Sequence, residues 1–425
     1  MKTVILAAGK GVRLQPITLT RPKVLIPIGG KPLLEHMLKA ISECGINEVL
    51  IIVYYMAEKI KEHLGDSPYG FKVEYARQKG VLGTANAISL AESYINGDFL
   101  VVYGDLLISG GVIKSVLETH RKLKPQMTMA LVEVENFRQY GMVKVENNRV
   151  VEIVEKPEFW DGEKLANAGI YVFSSSIFDE IRKTEPSKRG EIEITDTIQA
   201  LIDSGAEIAY AKISRKDWLD VGRPWDILEA NKRVLMNLKP EINGWIESGA
   251  TITGPVIIGE DTKIRSGAYI EGPVFIGEES DIGPNCYIRP FTSIGRDVRI
   301  GNACEIKNSV VMDHARIGHL SYVGDSIIGE ECNLGAGTIT ANLRFDKKPI
   351  KMMVKGELVS SGRKKLGTIM GDKAQTGIGV LIMPGIKIGP ESWIGPGTIV
   401  YRDVPKKTFV IAKQELEFRM VPEKK

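Results

Sequence analysis

Two stretches of the chain combine residue types and spacings that do chemistry. The first is Ala7-Ala8-Gly9-Lys10-Gly11-Val12-Arg13, which follows directly on a short apolar run from Lys2 to Leu6. A strand entering a glycine-rich loop opens many nucleotide-binding α/β units, because glycines let backbone N–H groups approach phosphate oxygens. The loop is neither a P-loop, since no Gly-Lys-Ser/Thr follows, nor a GxGxxG fingerprint. The second stretch, His314 to Tyr322, interrupts a repeat that is regular from Ile252 onward. A structural rod needs no interruption, whereas a site needs polar side chains and irregular backbone between its coils.

Each stretch depends on the elements that carry it. After the glycine loop, helices and strands alternate: Leu33 to Cys44, Val49 to Val53, Ala57 to Leu64, Phe71 to Tyr75, Ala85 to Tyr94 and Phe99 to Val102. This order predicts a doubly wound, mostly parallel sheet. Ligands of such sheets bind at the carboxyl ends of strands. Three stretches fall there: Gln78 to Thr84, Tyr103-Gly104-Asp105, and Trp218 to Gly222.

In the second half isoleucine returns every six residues, at Ile252, Ile258, Ile264, Ile270, Ile276, Ile282, Ile288, Ile294, Ile300 and Ile306. Small residues such as Val256, Thr262, Ala268 and Cys286 stand two positions earlier, so both positions share one strand face, the core face. Glycine follows at Gly259, Gly277, Gly283, Gly295 and Gly301, where a corner needs a permissive backbone. A short strand and a corner with period six predict a parallel β-helix. With three hexapeptides to a coil, Cys286 and Cys304 would stack at about 4.8 Å. The register holds to Met312 and resumes at Met370, Ile382, Ile388, Ile394 and Val400.

The run Leu6 to Arg13, continued by Pro16, Thr18, Pro22-Lys23, Pro27 and Lys31-Pro32, resembles the signature of sugar-1-phosphate nucleotidyltransferases. The resemblance covers residues 1–225 and implies a Rossmann-like α/β domain. It implies that Ala8, Gly9, Gly11 and Tyr103 line the nucleotide site and that Arg13 and Lys23 face the triphosphate as catalytic cations. Gln78 and Gly83 would read a pyrimidine. Gly141, Glu155 and Asn167 would hold the sugar, and Lys156 its phosphate. Asp105 and Asp220 match the metal-binding aspartates of the family, and such a pair suits Mg²⁺, which takes one or two carboxylates plus phosphate oxygens and water.

Around the interruption, Asp313 to Asp325 and Asn333 to Asn342 resemble the acetyltransferase half of the bifunctional N-acetylglucosamine-1-phosphate uridylyltransferase / glucosamine-1-phosphate acetyltransferase family. In that resemblance His319 is the base, and Arg289, Tyr322, Asn333 and Asn342 contact substrate. Lys348 would contact it from the stretch Leu343 to Lys365, rich in Lys and Arg, which suits a loop reaching across to a neighbouring subunit, a plain solvated loop being the alternative. The hexapeptide ladder resembles left-handed β-helices that trimerise about their axis. The lysine that the family carries near the histidine has no counterpart between Met312 and His319, where His314 stands instead. The glycine loop is closer to glucose-1-phosphate thymidylyltransferases, a combination that resembles archaeal versions.

The expected organisation is a nucleotidyltransferase domain at 1–225, a connecting helix at 226–250, a left-handed β-helix at 251–405 and a tail at 406–425. Across 425 residues, a net charge of +3 with both signs mixed makes no electrostatic case for nucleic acid. Four cysteines lack zinc or CxxC spacing, and no leader opens the chain, which reads as cytoplasmic and not membrane-bound. The resemblance implies transfer from UTP or dTTP to a sugar-1-phosphate, acetyl transfer from acetyl-CoA to glucosamine-1-phosphate, and a homotrimer. A monofunctional uridylyl- or thymidylyltransferase whose β-helix only trimerises or regulates is the alternative. An inert scaffold on this fold is a third reading, and the retained Arg13, Lys23, Asp105 and Asp220 count against it.

Overall fold

The computed structural model describes residues 1–65, 70–187 and 189–421. Two compact units emerge, Met1–Leu14 with Arg21–Ala230, and Gln15–Thr20 with Asn231–Lys425.

The first unit is built on a nine-stranded sheet: β1 (Thr3–Ala7), β2 (Glu48–Val53), β3 (Lys72–Arg77), β4 (Phe99–Tyr103), β5 (Met127–Glu133), β6 (Gly141–Glu146), β7 (Arg149–Glu155), β8 (Leu165–Phe173) and β9 (Ile208–Ile213). The order is β7-β6-β8-β4-β1-β2-β3, with β5 joining β8 to β9. Neighbouring residues of the central strands point to opposite faces. Ile5, Ile51 and Val102 enter one core with Met37 and Ile60 of the helices α1 (Leu33–Ser42) and α2 (Ala57–Leu64). Val4, Leu50, Ile52 and Val101 enter the other, with Ala85 of α3 (Thr84–Ser89), Phe178 and Ile181 of a helix at Ile177–Lys183, and Ile198 of a helix at Ile194–Asp203. Strands covered on both faces read as continuous apolar runs, which is why they were visible in the sequence.

The sheet is mixed rather than mostly parallel. β1 runs parallel to β2 and β4, and β2 to β3, but β8 is antiparallel to β4, β5 and β6. The cause is a two-residue turn, Asn147-Asn148, with both φ positive (50° and 62°). That turn closes β6 and β7 as a hairpin, and β8 then returns without a crossover helix. The expected helix Ala85 to Tyr94 is also divided, α3 ending at Ser89 before a separate 3-10 turn at Glu92–Tyr94.

The second unit consists of three parallel sheets of eight, nine and eight strands, visited in turn by successive strands, a connectivity consistent with a β-helix. Its core is the ladder, with Ile258, Ile264, Ile270, Ile276, Ile282, Ile288, Ile294, Ile300 and Ile306 buried. Cys286 and Cys304 lie in adjacent coils as free, buried thiols, and burial pushes Cys286 up to about 12. Strand pairing begins before the expected boundary, since Glu241–Ile242 pairs with Val256–Ile258 and Trp245–Ile246 with Lys263–Ile264. The helix Pro224–Leu235 is therefore shorter than the connector expected over 226–250. Ile246, six residues before Ile252, was the signal for the earlier start. At the other end Phe409–Val410 still pairs with Trp393–Ile394, so coil structure enters the expected tail, whose residues 422–425 lie outside the described residues.

The interruption from His314 to Tyr322 is not a break in the coils. Arg316–His319 and Tyr322–Gly324 are regular strands of two of the sheets. What changes is the length of a corner. Ile282 pairs with Ile300, eighteen residues on, whereas Ile300 pairs with Ile317 and Ile317 with Leu334, each seventeen on. The missing residues fall at Lys307-Asn308 and Gly324-Asp325, between one sheet and the next, so the isoleucine period slips by one in two successive coils. The excursion after Asn342 closes at a Leu343 to Lys365 bridge and carries an antiparallel hairpin, Lys351–Val354 with Glu357–Ser360, where a loop was expected.

Candidate active sites

In the first unit a cavity of about 250 Å³ opens at the carboxyl ends of β1 and β4. Asp105 follows β4, and Asp220 ends a short strand, Trp218–Asp220, that pairs antiparallel with Leu106–Ile108. This ribbon, with Val221 N–H donating to Asp105 O at 3.0 Å, brings two carboxylates from distant parts of the chain together. Asp220 is thus placed by its own ribbon and not by a strand of the main sheet. Lys23, largely buried on a 3-10 turn, hydrogen-bonds Asp105 and lies 3.7 Å from Asp220. Burial raises the Asp220 carboxyl, Lys23 opposes that shift, and Asp105 adds to it. Asp226, pushed up to about 6 by burial and by Asp220, accepts from Gly222 N at 3.1 Å and Arg223 N at 2.7 Å, fixing the turn after Asp220. Arg13 lines the same cavity, 3.2 Å from where a Cβ on Gly222 would stand.

At the other end of the cavity, Glu155 of β7 lies across from Gly141 of β6. A Cβ at Gly141 would approach Glu155 Oε2 to 3.0 Å, so glycine leaves room for the carboxylate. Lys156 pairs with Glu155 at 2.8 Å. Asn167 donates to Tyr171 Oη at 2.6 Å, and its Oδ1 accepts from Gly169 N at 3.1 Å. Tyr171 donates to Tyr103, and burial holds both phenols well above their usual range, hence protonated. Gly169 (φ +74°) could carry no Cβ, which would lie 2.8 Å from the Tyr103 ring.

Gln78 is not on the cavity wall. It is buried behind Gly83, donating to Gly83 O at 3.2 Å and Asn86 Oδ1 at 2.9 Å, so it braces the loop. Gly83 (φ +101°) packs against the Ile192 backbone, 2.5 Å from its nitrogen at the Cβ position. Ala8, Gly9 and Gly11 stand on the loop that leaves β1, Gly11 with φ +61° and Gly9 with open space at its Cβ. The sequence reading missed Arg189 and Thr195, which line the cavity, Arg189 3.5 Å from Glu155 and 2.9 Å from Glu193. A lone arginine before a helix carries no signal of its own.

In the second unit, four coils stack their polar residues at one column of corners. Arg289 pairs with Glu305 at 2.7 Å, and Lys307 stands one coil on. Tyr322 Oη accepts from Asn342 Nδ2 at 3.0 Å. Asp325 accepts from Lys307 Nζ at 3.0 Å, Asn308 Nδ2 at 2.7 Å and Asn342 Nδ2 at 2.6 Å. Lys307 stands before the stretch from Met312 to His319. Its signal was the coil period, since it lies eighteen residues after Arg289. His314 does not take that place, for its Nδ1 meets Asp297 Oδ2 at 2.9 Å on an exposed corner.

His319 is exposed at the end of its strand, next to Leu320. Leu320 begins a groove of about 700 Å³ floored by Ala336, Ile378, Pro396 and Ile411. Asn333 is exposed on the coil after Arg316 in the same sheet. Lys348 is exposed on the excursion, its backbone N–H donating to Asp346 Oδ1 at 3.2 Å.

Comparison with known proteins joins the two halves. The nucleotidyl transferase family matches residues 2–237, and the GMPPB C-terminal domain family matches residues 270–383. Bifunctional protein GlmU of Methanocaldococcus jannaschii is 44% identical over 420 residues, 99% of either chain. The chain belongs to the bifunctional GlmU family. A second relative, the bifunctional sugar-1-phosphate nucleotidylyltransferase/acetyltransferase of Sulfurisphaera tokodaii, is 44% identical over 414 residues, 95% of this chain and 98% of its own. UDP-glucose pyrophosphorylase crystallised with UDP-glucose superposes with a TM-score of 0.51 at 27% identity, over 55% of this chain and 98% of its own.

As a GlmU-family enzyme the chain is a transferase with a nucleotidyltransferase half, and matching over the whole length does not favour the monofunctional alternative. No helix of the described residues is long and apolar enough to cross a membrane. The donor set fits a magnesium ion. Two carboxylates already face one cation, the Lys23 ammonium, and a pair of carboxylates is what magnesium takes beside phosphate oxygens and water.

Proposed function

We propose that the first unit transfers a nucleotidyl group from UTP or dTTP to N-acetylglucosamine-1-phosphate or glucose-1-phosphate. A sugar-phosphate oxygen attacks the α-phosphorus, the bond to the β-phosphate oxygen breaks, and pyrophosphate leaves. The attacking phosphate is already an anion, so no protein base is needed. Asp105 and Asp220 would hold Mg²⁺, which supplies charge neutralisation to the reacting phosphates. Lys23 and Arg13 present preorganised positive charge where the leaving group gains negative charge. Glu155, Asn167 and Gly141 orient sugar hydroxyls, while Lys156 holds the sugar phosphate. Gly83 shapes the base loop that Gln78 braces. The observation that carries this reading is one ammonium shared by two carboxylates at a strand-end cavity.

The second unit we propose to be a left-handed β-helix that acetylates glucosamine-1-phosphate. An ammonium cannot attack a carbonyl, and His319, as general base, takes its proton. The amine nitrogen then bonds to the thioester carbonyl carbon, the C–S bond breaks, and CoA leaves as the thiol. The apolar groove from Leu320 to Ile411 suits the long apolar-rich arm of acetyl-CoA, and Arg289 suits the sugar phosphate. Asn333 and Lys348 are exposed, where substrate or a second copy would meet them, and a homotrimer would bring the excursion of one copy to the site of the next.

The test is direct. The wild-type chain should release CoA from acetyl-CoA only when glucosamine-1-phosphate is present, and pyrophosphate from UTP or dTTP only with a sugar-1-phosphate and Mg²⁺. Absence of either product removes the corresponding half of the reading.

A further inference from the structure

Asp325 is the hub of the second unit's polar cluster. Its side chain is 4% exposed, yet it receives three donors: Lys307, Asn308 and Asn342. It sits on the second of the two shortened corners, with φ +50°, a conformation that aspartate tolerates better than most residues. The turn itself does not call for a carboxylate. The corresponding corners of earlier coils are Gly254-Pro255, Gly272-Pro273 and Arg289-Pro290, none of which contains one. A buried carboxylate is costly unless its charge and lone pairs are matched, so its presence demands a reason beyond turning the chain.

The reason lies in what it does to its neighbours. Asn342 Nδ2 carries two N–H bonds, and both are committed, one to Asp325 at 2.6 Å and one to Tyr322 Oη at 3.0 Å. Asn342 can then meet a ligand only through its carbonyl oxygen, an acceptor. Lys307 gives one N–H to Asp325 and keeps two for an anion. Gly324 makes room for the arrangement, since a Cβ there would lie 2.7 Å from Asn342 Nδ2 and clash with the Tyr322 hydroxyl.

We propose that Asp325 is the positioning residue of the acceptor pocket. It turns Asn342 into an acceptor for the amine or hydroxyl groups of an amino-sugar phosphate and holds Lys307 toward that sugar's phosphate. The inference rests on the acetyl-transfer reading and deepens it, since it assigns acceptor recognition, and not acetyl-CoA recognition, to this corner.

The test uses the full-length chain and steady-state CoA release. Asp325→Asn should raise KM for glucosamine-1-phosphate about tenfold or more while KM for acetyl-CoA moves less than about twofold. Asn342→Asp, which sets two carboxylates together, should do the same. The exchange Asp325→Asn/Asn342→Asp restores the hydrogen bond between the two positions, the charge count and an outward oxygen but not the Lys307 contact, and should recover at least about threefold of the acceptor KM lost by the worse single variant. Recovery of that kind is the non-additivity expected of direct partners, and a merely structural role would not produce it. Because the exchange keeps the charge balance, it answers the question even if a single variant fails to assemble. An unchanged acceptor KM in Asp325→Asn, equal losses for both substrates, or an exchange no better than the worse single variant would overturn the inference while leaving acetyl transfer standing. A wild-type chain that releases no CoA overturns both.

Discussion

Lys23 bridges Asp105 and Asp220, the pair proposed to hold Mg²⁺. Asp105→Asn should keep the fold, because the side chain is nearly isosteric and its backbone contact to Val221 is retained. It should nonetheless cut pyrophosphate release about a hundredfold, roughly 3 kcal/mol of barrier, the scale of one lost preorganised electrostatic contact. Full turnover by that variant in EDTA would contradict the assignment. The aspartates were legible because each stands in a motif at a strand end, Tyr103-Gly104-Asp105 and Trp218-Leu219-Asp220. Arg189, Lys307 and Asp325 were not, since each belongs to the site only through what the fold brings beside it. Gln78 commits only its Nε2, to Gly83 and Asn86, which leaves its carbonyl oxygen as the group that would meet the base.

Element by element, apolar patterning gave reliable strands and helices but not their directions. The ladder was readable because a core position every six residues leaves no other periodicity to explain. The one-residue slip was read as an interruption because a sequence period cannot separate a short corner from a broken coil. α1 offers a test of its own. His36 on this helix hydrogen-bonds Ile28 O through Nε2 at 2.8 Å, and burial lowers its pKa, with the Ile28 contact opposing. The unfolded chain then binds a proton, below about pH 6.5, that the folded chain resists, so stability falls as pH drops through the window below that value. One such group gives a slope of up to about 1.4 kcal/mol per pH unit. Chemical denaturation of the wild type between pH 7.5 and 5 should show this loss, and His36→Gln should flatten it. An identical slope in both would contradict the account.

For the whole molecule, two units with separate cores should support two reactions that ignore each other's side chains. The trimer is proposed from the resemblance of the ladder to trimeric left-handed β-helices, and light scattering of the intact chain should read three times the chain mass. A monomer would remove the neighbouring subunit that the 343–365 excursion is proposed to reach. The central claim is that one chain carries two independent transfers, and His319→Ala measured in both assays tests it most directly. CoA release from acetyl-CoA and glucosamine-1-phosphate should fall about a hundred- to ten-thousandfold, the range for losing a general base. Pyrophosphate release from UTP and N-acetylglucosamine-1-phosphate should stay within about twofold of wild type. Acetyl transfer at the wild-type rate, or an equal collapse of both reactions in a variant that is still folded, would contradict it.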